Sequence, residues 1–543
     1  MMKRMLIHQG QRHFSMRSIR RLSSLLQRNC TNRNTAETQR SRSYSTTSLL
    51  RKVPSSDIPV LLQHELDPRI QIDTNRYELE RHGRGESHHP SRPPSAICYP
   101  TNADDVVQIV QLCHARRIPM IPFGVGTSVE GHVCALHDGT VSIDTRLLQD
   151  LQLPDFDTAS DDWPDPMATV GAGVTRKTLN TALRHSGLQF VVDPGADATL
   201  GGMTACGASG TTAVRYGTMR ENLLALQAVL PNGERVQCGT RALKNSAGYD
   251  LLGLFCGSEG TLGVITEVTV KLHPIPDHVM AAVCVFDTLR QAAQAVASLK
   301  FQSVTAMTRC ELLDASAVAA FNQYNHNNNS SSSVVPTMSE QPTLFLEVQG
   351  NDEASLEAEL TRIRQICCDE NNGYQFQHCS DPDERAALWA ARHELYYASI
   401  HLRQAATTST SDNMSAVLTD ACVPLSEFAS ILEATARDVQ EQNVVGPIFG
   451  HAGDGNFHTI LPIFVQDENP DYLERVHAVN DRLIQRTLAV GGTCTGEHGV
   501  GYGKSHYLAQ QYGTGAVDMM RAIKQAVDPH NLMNPGKVIP DVK

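Results

Sequence analysis

The sequence predicts an α+β protein of two domains, and three observations carry that expectation. From about residue 95, short apolar runs ending in glycine alternate with segments of helical period. Pro274 and Pro276 interrupt the alternation and mark a domain boundary. Three glycine-rich segments lie before that boundary, and two histidine-bearing glycine loops lie after it. The expected organisation is a basic leader over 1–52, an entry segment over 53–94, a first domain over 95–275 and a second over 276–543.

The leader is the first element. Of the 543 residues, the first 52 hold twelve Lys/Arg against one acid, Glu37, although the whole chain has a net charge of −12. Arg- and Ser-rich, acid-poor composition with scattered Leu and Ile is that of a mitochondrial transit peptide. "RSYSTTS" (42–48) supplies a cleavage site, with Arg42 two residues before Tyr44; the alternative is a disordered basic tail. The strongly acidic remainder argues against a nucleic-acid partner. No apolar run reaches the roughly 18 residues of a spanning helix, so any contact with the inner membrane is expected to be peripheral. Fourteen cysteines occur without one C-x-x-C pair, the only close pair being Cys367-Cys368. That spacing argues against zinc-ribbon and iron–sulfur sites, and suits buried thiols in a reducing compartment.

In the first domain, "TNADDVVQIVQLCHARR" reads as a helix with Thr101 as N-cap, Asp104 in the first turn and a stripe at Val106, Val107, Ile109, Val110 and Cys113. "IPMIPFG" follows as a strand. "ATVGAGVTRKTLNTALRHSG" is a strand, a glycine turn and a helix capped by Thr175 and stopped by Gly187. "DFDTASDDWPDP" (155–166) reads as an acidic surface loop, and a Val/Thr/Ile-rich strand closes the domain. In the second, helices such as "LRQAAQAVASLK" alternate with strands such as "TLFLEVQG", while "NQYNHNNNSSSSVVP" (322–336) reads as a low-complexity loop.

"PFGVGTSVEGH" (122–132) follows a strand, but it is neither a Rossmann fingerprint nor a P-loop. Its glycines suit close approach of backbone N–H groups to an anion. "VDPGADATLGGMTACGASG" (192–210) and "GSEGTLGVIT" (257–266) are too poor in apolar side chains to be plain core. Three such segments in one domain suit a backbone laid against a dinucleotide-sized ligand.

These segments, with "RYGTMRENLLALQAVLPNGE", resemble in sequence and in order the FAD-binding domain of the vanillyl-alcohol-oxidase/PCMH flavoprotein family, over about 95–275. The resemblance implies a PCMH-type, two-subdomain FAD-binding domain followed by an α+β substrate domain with an antiparallel sheet, its C-terminal segment returning to the flavin. It implies FAD with its pyrophosphate on the backbone of 122–131 and 193–202. In the first segment it assigns cofactor contacts to Pro122, Phe123, Gly124, Val125, Gly126, Thr127, Ser128 and Gly131. In the second it assigns Asp193, Pro194, Gly195, Thr199, Gly201, Gly202, Ala205, Ser209 and Gly210, followed by Tyr216 and Gly217. The third contributes Glu259, Gly260, Gly263, Val264 and Ile265, and the C-terminal "NPGK" contributes Asn534. Many relatives attach FAD through a histidine in the first loop; Thr127 stands there in this chain, which implies non-covalent FAD.

"GPIFGHAGDGNFHTI" (446–460) raises a metal site from the residues alone. A two-residue Asp454-Gly455 turn would place His451 opposite His458, with Cβ atoms roughly 4.5–5.5 Å apart on one face. "GGTCTGEHGVGYGK" (491–504) adds Glu497 and His498. Two histidines and a glutamate suit zinc, manganese or a similar divalent ion with an open position, His498 standing beside it as a base. A stray histidine pair and a solvated loop remain the plain alternatives. "HAGDGNFH", "GEHGVG" and "NPGK" resemble the C-terminal domain of FAD-linked 2-hydroxyacid dehydrogenases. That resemblance implies His451, His458 and Glu497 as metal ligands and His498 as catalytic base. It also implies, through "LWAARHELYYA", that Arg392 holds a substrate carboxylate. "AVLTDACVP" (416–424) is similar to the members acting on D-lactate in mitochondria, with cytochrome c as acceptor. No Lys occurs at 417–420 to grip a second carboxylate, which disfavours D-2-hydroxyglutarate. The rival readings are that substrate or glycolate, a metallohydrolase, and a flavin-free metal-binding scaffold.

Overall fold

The computed structural model describes residues 53–154, 164–327, 337–405, 414–465 and 468–540. The leader, its cleavage site, residues 155–163 of the acidic loop and 328–336 of the low-complexity stretch lie outside the described residues.

The first sheet contains β1 (Gln71–Asp73), β2 (Ala96–Tyr99), β3 (Met120–Phe123) and β4 (Val141–Asp144), in the order β1-β2-β4-β3. β4 runs parallel to both β2 and β3, and parallel neighbours need a crossover. Helix Ala103–Arg116 makes the crossover from β2 to β3, on either side of β4, and buries Val106, Ile109, Val110 and Cys113 in the core. Its cap is Asn102 rather than Thr101: the Asn102 side chain accepts from Asp105 N at 3.0 Å. Thr101 instead donates N–H and O–H to the buried Asp105 carboxylate, at 2.9 and 2.8 Å, and Asn102 Nδ2 adds a third donor at 3.1 Å. β1, from the entry segment, pairs antiparallel with β2.

The second sheet is antiparallel, in the order β5-β6-β10-β8-β9: β5 (Leu151–Gln152), β6 (Met167–Gly171), β8 (Leu223–Val229), β9 (Arg235–Gly239) and β10 (Val264–Lys271). A small pair, β7 (Leu188–Gln189) with β11 (His273–Pro274), lies beside the predicted boundary. Thr175 caps helix Arg176–Ala182 as expected.

Beyond it stands a third sheet, also antiparallel. Its path is β15-β12-β14-β13-β18-β19-β16, and β17 also pairs with β19. The strands are β12 (His278–Val285), β13 (Met307–Leu313), β14 (Thr343–Gly350), β15 (Tyr374–Cys379), β16 (Met414–Leu418), β17 (Ala421–Cys422), β18 (Ile448–Gly450) and β19 (Asn456–Phe464). Helices Leu289–Phe301 and Leu425–Glu441 bury Val296, Leu299, Phe428 and Leu432 in one core with Leu344 and Leu346 of β14. One sequence expectation fails here. Residues 322–327 are not loop but the end of helix Ala315–Asn327, anchored by buried Val318 and Phe321. The Asn322 amide closes on Met338 N and O, which satisfies the polar tail.

The C-terminal segment returns to the first sheet. Met120 N donates to Leu532 O and Asn534 N to Met120 O, both at 2.7 Å. Two buried lysines fasten it: Lys524 Nζ reaches Thr261 O, and Lys537 Nζ reaches Cys134 O. This is the mixed α+β fold expected, and the return brings residue 534 beside the glycine-rich segments.

Candidate active site

The glycine-rich segments converge. Gly124 packs so closely on Thr199 that a Cβ would lie 2.6 Å from its Oγ1. Glu259 N donates to Ala205 O at 2.8 Å, joining the third segment to the second, and Gly260 sits against the Pro122 ring. Thr199 caps helix Leu200–Cys206, with Gly201 and Gly202 in its first turn. The backbone N–H groups of Val125, Gly126, Thr127 and Ser128 donate no hydrogen bond among the described residues. Ser128 Oγ and Ser258 Oγ are buried without partners there as well. Several assigned contacts are engaged elsewhere. The Asp193 carboxylate accepts from Thr211, Thr212 and Arg309, and Tyr216 OH reaches Gln349 of β14. Val264 and Ile265 are core residues of β10. Asn534 Nδ2 clamps His132 O and Glu259 O.

The second cluster forms where β18, β19 and the 495–504 loop meet. β18 and β19 form the expected hairpin, but its turn is not two residues long. Phe449, not His451, pairs with His458, and residues 452–454 make a 3-10 turn. Asp454 N and Asn456 N both bond to His451 O, so the connection runs from 451 to 456. The longer turn still lets the two rings converge, with centroids 5.6 Å apart. His451 Nε2 and His458 Nε2 lie 3.0 and 3.2 Å from the same Glu497 oxygen. The other ring nitrogens are fixed. His451 Nδ1 is 2.7 Å from Glu311 Oε1, and His458 Nδ1 is 3.1 Å from Thr419 O. Both Nε2 atoms thus face a common point, the arrangement that orients histidines toward an ion. These three residues have metal-ligand spacing, as does the overlapping set Asp420, His458 and His498.

Asp420 builds this loop. Its Oδ2 accepts from Thr495 Oγ1 and from the backbone N–H groups of Gly496, Glu497 and His498, all at 2.7–2.8 Å. Burial opposes its ionisation, but His498, Lys504 and His458 hold its carboxyl well below the usual range. On the far side, Glu259 accepts from Val500 N and Gly501 N at 2.6 and 2.7 Å. Ser209 Oγ donates to Glu497 Oε2 at 2.8 Å. Two residues assigned to the cofactor therefore hold the second domain's loop. Gly501 has φ 52°, and a Cβ there would lie 1.9 Å from Glu130 O. Gly501→Ala is expected to destabilise the protein by roughly 1–3 kcal/mol through strain at this joint, read as a lower Tm.

His498 stacks on His458 at 4.8 Å and 15°. Its Nδ1 is buried without a hydrogen-bond partner among the described residues. Burial lowers the ring to about 4, so it is neutral near pH 7. Arg392 Nε donates to Glu311 Oε2 at 2.6 Å, and its guanidinium lies 4.6 Å from the Phe449 ring centroid. Glu311 thus ties Arg392 to His451. Sequence reading missed Glu311, Asp420 and Ser258. Glu311 left a signal: charged Arg309 and Glu311 alternate on the otherwise apolar strand "TRCELL".

Two family models match the chain: the C-terminal domain of FAD linked oxidases over 275–538, and an FAD binding domain over 94–239. The "Probable D-lactate dehydrogenase, mitochondrial" of Danio rerio is 43% identical over 465 residues, covering 85% of this chain and 87% of that protein. The chain belongs to the FAD-linked oxidases. The Arabidopsis thaliana protein "D-lactate dehydrogenase [cytochrome], mitochondrial" is 37% identical, covering 86% of this chain and 78% of its own. In fold, this FAD-linked oxidase resembles p-cresol methylhydroxylase, with TM-score 0.69, 16% identity and coverage of 89% and 96% of the two chains. The flavin domain is therefore PCMH-type, and the cofactor is FAD. The residues present fit it. Free backbone N–H groups at 125–128 and the partnerless hydroxyls of Ser128 and Ser258 are donors suited to phosphate oxygens.

Proposed function

We propose that this FAD-linked oxidase is a mitochondrial enzyme that converts D-lactate to pyruvate and passes the electrons to cytochrome c. One observation carries the reading. Glu311 holds the His451 ring at 2.7 Å and the Arg392 guanidinium at 2.6 Å, so the groups suited to a hydroxyl and to its neighbouring carboxylate share one anchor. Arg392 offers its terminal nitrogens to the substrate carboxylate. His498 accepts the hydroxyl proton at Nδ1, the buried atom left without a partner. Asp420 and Glu259 fix the loop that carries it. His451, His458 and Glu497 fit a divalent cation such as zinc or manganese, which when bound supplies Lewis-acid stabilisation of the substrate oxygen. The backbone of 122–131 and 193–202 would hold FAD non-covalently, and the flavin would supply a hydride acceptor able to release electrons singly.

The boundaries proposed for these roles are 95–275 for the flavin and 276–543 for substrate and metal. No helix among the described residues is long and apolar enough to cross a membrane. The relatives named for D-lactate, and the lack of a Lys at 417–420, favour D-lactate over a dicarboxylate.

The test is the anaerobic flavin spectrum with D-lactate, glycolate and D-2-hydroxyglutarate. D-lactate should bleach the flavin fastest, and a preparation that D-lactate leaves oxidised removes the proposal. Arg392→Lys keeps the charge but loses the planar fork. It is expected to raise KM about 10- to 100-fold with a smaller change in kcat. Acid precipitation should leave the flavin in the supernatant, because Thr127 offers no ring nitrogen for attachment.

A further inference from the structure

The adjacent Cys367 and Cys368 take no part in this mechanism, yet the fold brings a third thiol to them. Cys284 lies on β12, and the pair sits in the π-helical turn Gln365–Glu370 that follows helix Glu353–Arg364. Such turns are rare, and many mark functional positions. Cys284 Sγ and Cys368 Sγ are 4.0 Å apart, and Cys284 Sγ also lies 3.8 Å from Tyr374 O. Gly373 makes room for the group, since a Cβ there would lie 2.6 Å from Cys284 Sγ. Cys284 and Cys367 are fully buried, whereas Cys368 is half-buried and meets solvent. No cysteine joins a set with metal-ligand spacing among the described residues.

We propose that Cys284 and Cys368 form a reversible dithiol–disulfide couple that takes a small disulfide, of which oxidised glutathione is the probe. The Cys368 thiolate attacks one sulfur of the probe. A Cys368–glutathione bond forms, the probe's S–S bond breaks and one glutathione thiolate leaves. Cys284 then attacks Cys368 Sγ, closing the internal disulfide and releasing the second glutathione. The protein loses two electrons and two protons; the probe gains both as two thiols. Cys367 cannot replace Cys284 as the resolving group, because adjacent residues in a helical turn do not face each other. Burial pushes the Cys368 thiol up to about 11, which slows the first step at neutral pH. The neighbouring Cys367 thiol lowers Cys284 against the opposing effect of burial, and it remains in place for the second step after Cys368 has lost its S–H.

The experiment equilibrates the full-length flavoprotein with graded mixtures of oxidised and reduced glutathione, then maps unreduced peptides by mass spectrometry. One Cys284–Cys368 link is expected, reversed by excess thiol. It should be retained in Cys367→Ser. Cys284→Ser should stop at glutathione on Cys368, and Cys368→Ser should leave Cys284 unmodified. Closure ties β12 to a turn 84 residues away and is expected to raise Tm by a few degrees. A link through Cys367, glutathione persisting on wild-type Cys368, or thiols intact in the most oxidising mixture would each overturn the proposal.

Discussion

Replacing His458 with alanine is expected to strip the divalent cation from the protein and cut turnover by about 10³-fold or more, with FAD still bound. The geometry gives the reason. His451 Nε2 and His458 Nε2 approach one Glu497 oxygen at 3.0 and 3.2 Å, so removing one ring leaves two donors where a stable site needs three or four. A Lewis acid at a developing negative oxygen is worth several kcal/mol, and about 4 kcal/mol corresponds to a factor near 10³. The flavin should stay, because the segments that fit it are joined through Gly124, Thr199, Ala205 and Glu259, none of which is hydrogen-bonded to His458. Metal content, flavin absorbance and kcat measured on one preparation decide the matter. A variant that keeps its metal, or a wild-type rate unchanged by a chelator, ends the metal assignment. His458→Asn preserves more of the buried volume and separates loss of a ligand from loss of packing.

The fold was legible where local chemistry and burial agree. The 103–116 helix and the strands flanking it follow from periodicity and turn residues, and the resemblance of the glycine segments supplied their mutual placement. The failures have separate causes. Thr101 is a good capping residue, but the buried Asp105 carboxylate claims its donors and Asn102 caps instead. Asp-Gly favours a tight turn, yet a 3-10 turn at 452–454 shifts the hairpin register so that Phe449 faces His458. The convergence of His451 and His458 survives that shift, because His451 lies beyond the strand and reaches back toward Glu497. Glu311 and Asp420 were harder to see. Each acts through groups distant in sequence: Glu311 on 392 and 451, Asp420 on 456 and 495–498. A strand pattern records that a charge is present but not what it faces.

The loop that carries Glu497 and His498 depends on carboxylates from both halves of the chain. Glu259, from a glycine-rich segment, takes Val500 N and Gly501 N, while Asp420, between β16 and β17, takes the N–H groups of 496–498. A flavin at those segments and an ion at the histidines would therefore be set at a fixed separation by one short stretch of backbone. This linkage accounts for the hydrogen bonds that Ser209 and Glu259 make to the loop.

His498→Ala is expected to slow flavin reduction by D-lactate about 10²- to 10⁴-fold, the usual worth of a positioned base, while substrate affinity moves little. The imidazole is neutral because burial lowers it to about 4, and its partnerless Nδ1 is the atom free to take a proton. Stopped-flow reduction across a range of substrate concentrations separates the two effects: the limiting rate should fall and the half-saturation point should hold. Equal limiting rates would remove His498 as the base. Metal content adds a second decision, because Asp420, His458 and His498 also have ligand spacing. A variant that retains its ion but reduces flavin slowly assigns the ion to His451, His458 and Glu497. One that loses the ion moves His498 into the coordination sphere and leaves the proton to another acceptor. Asp420→Asn provides the control: it keeps an acceptor for the loop N–H groups but removes the negative charge beside the ring, so it should retain metal and slow reduction less than His498→Ala.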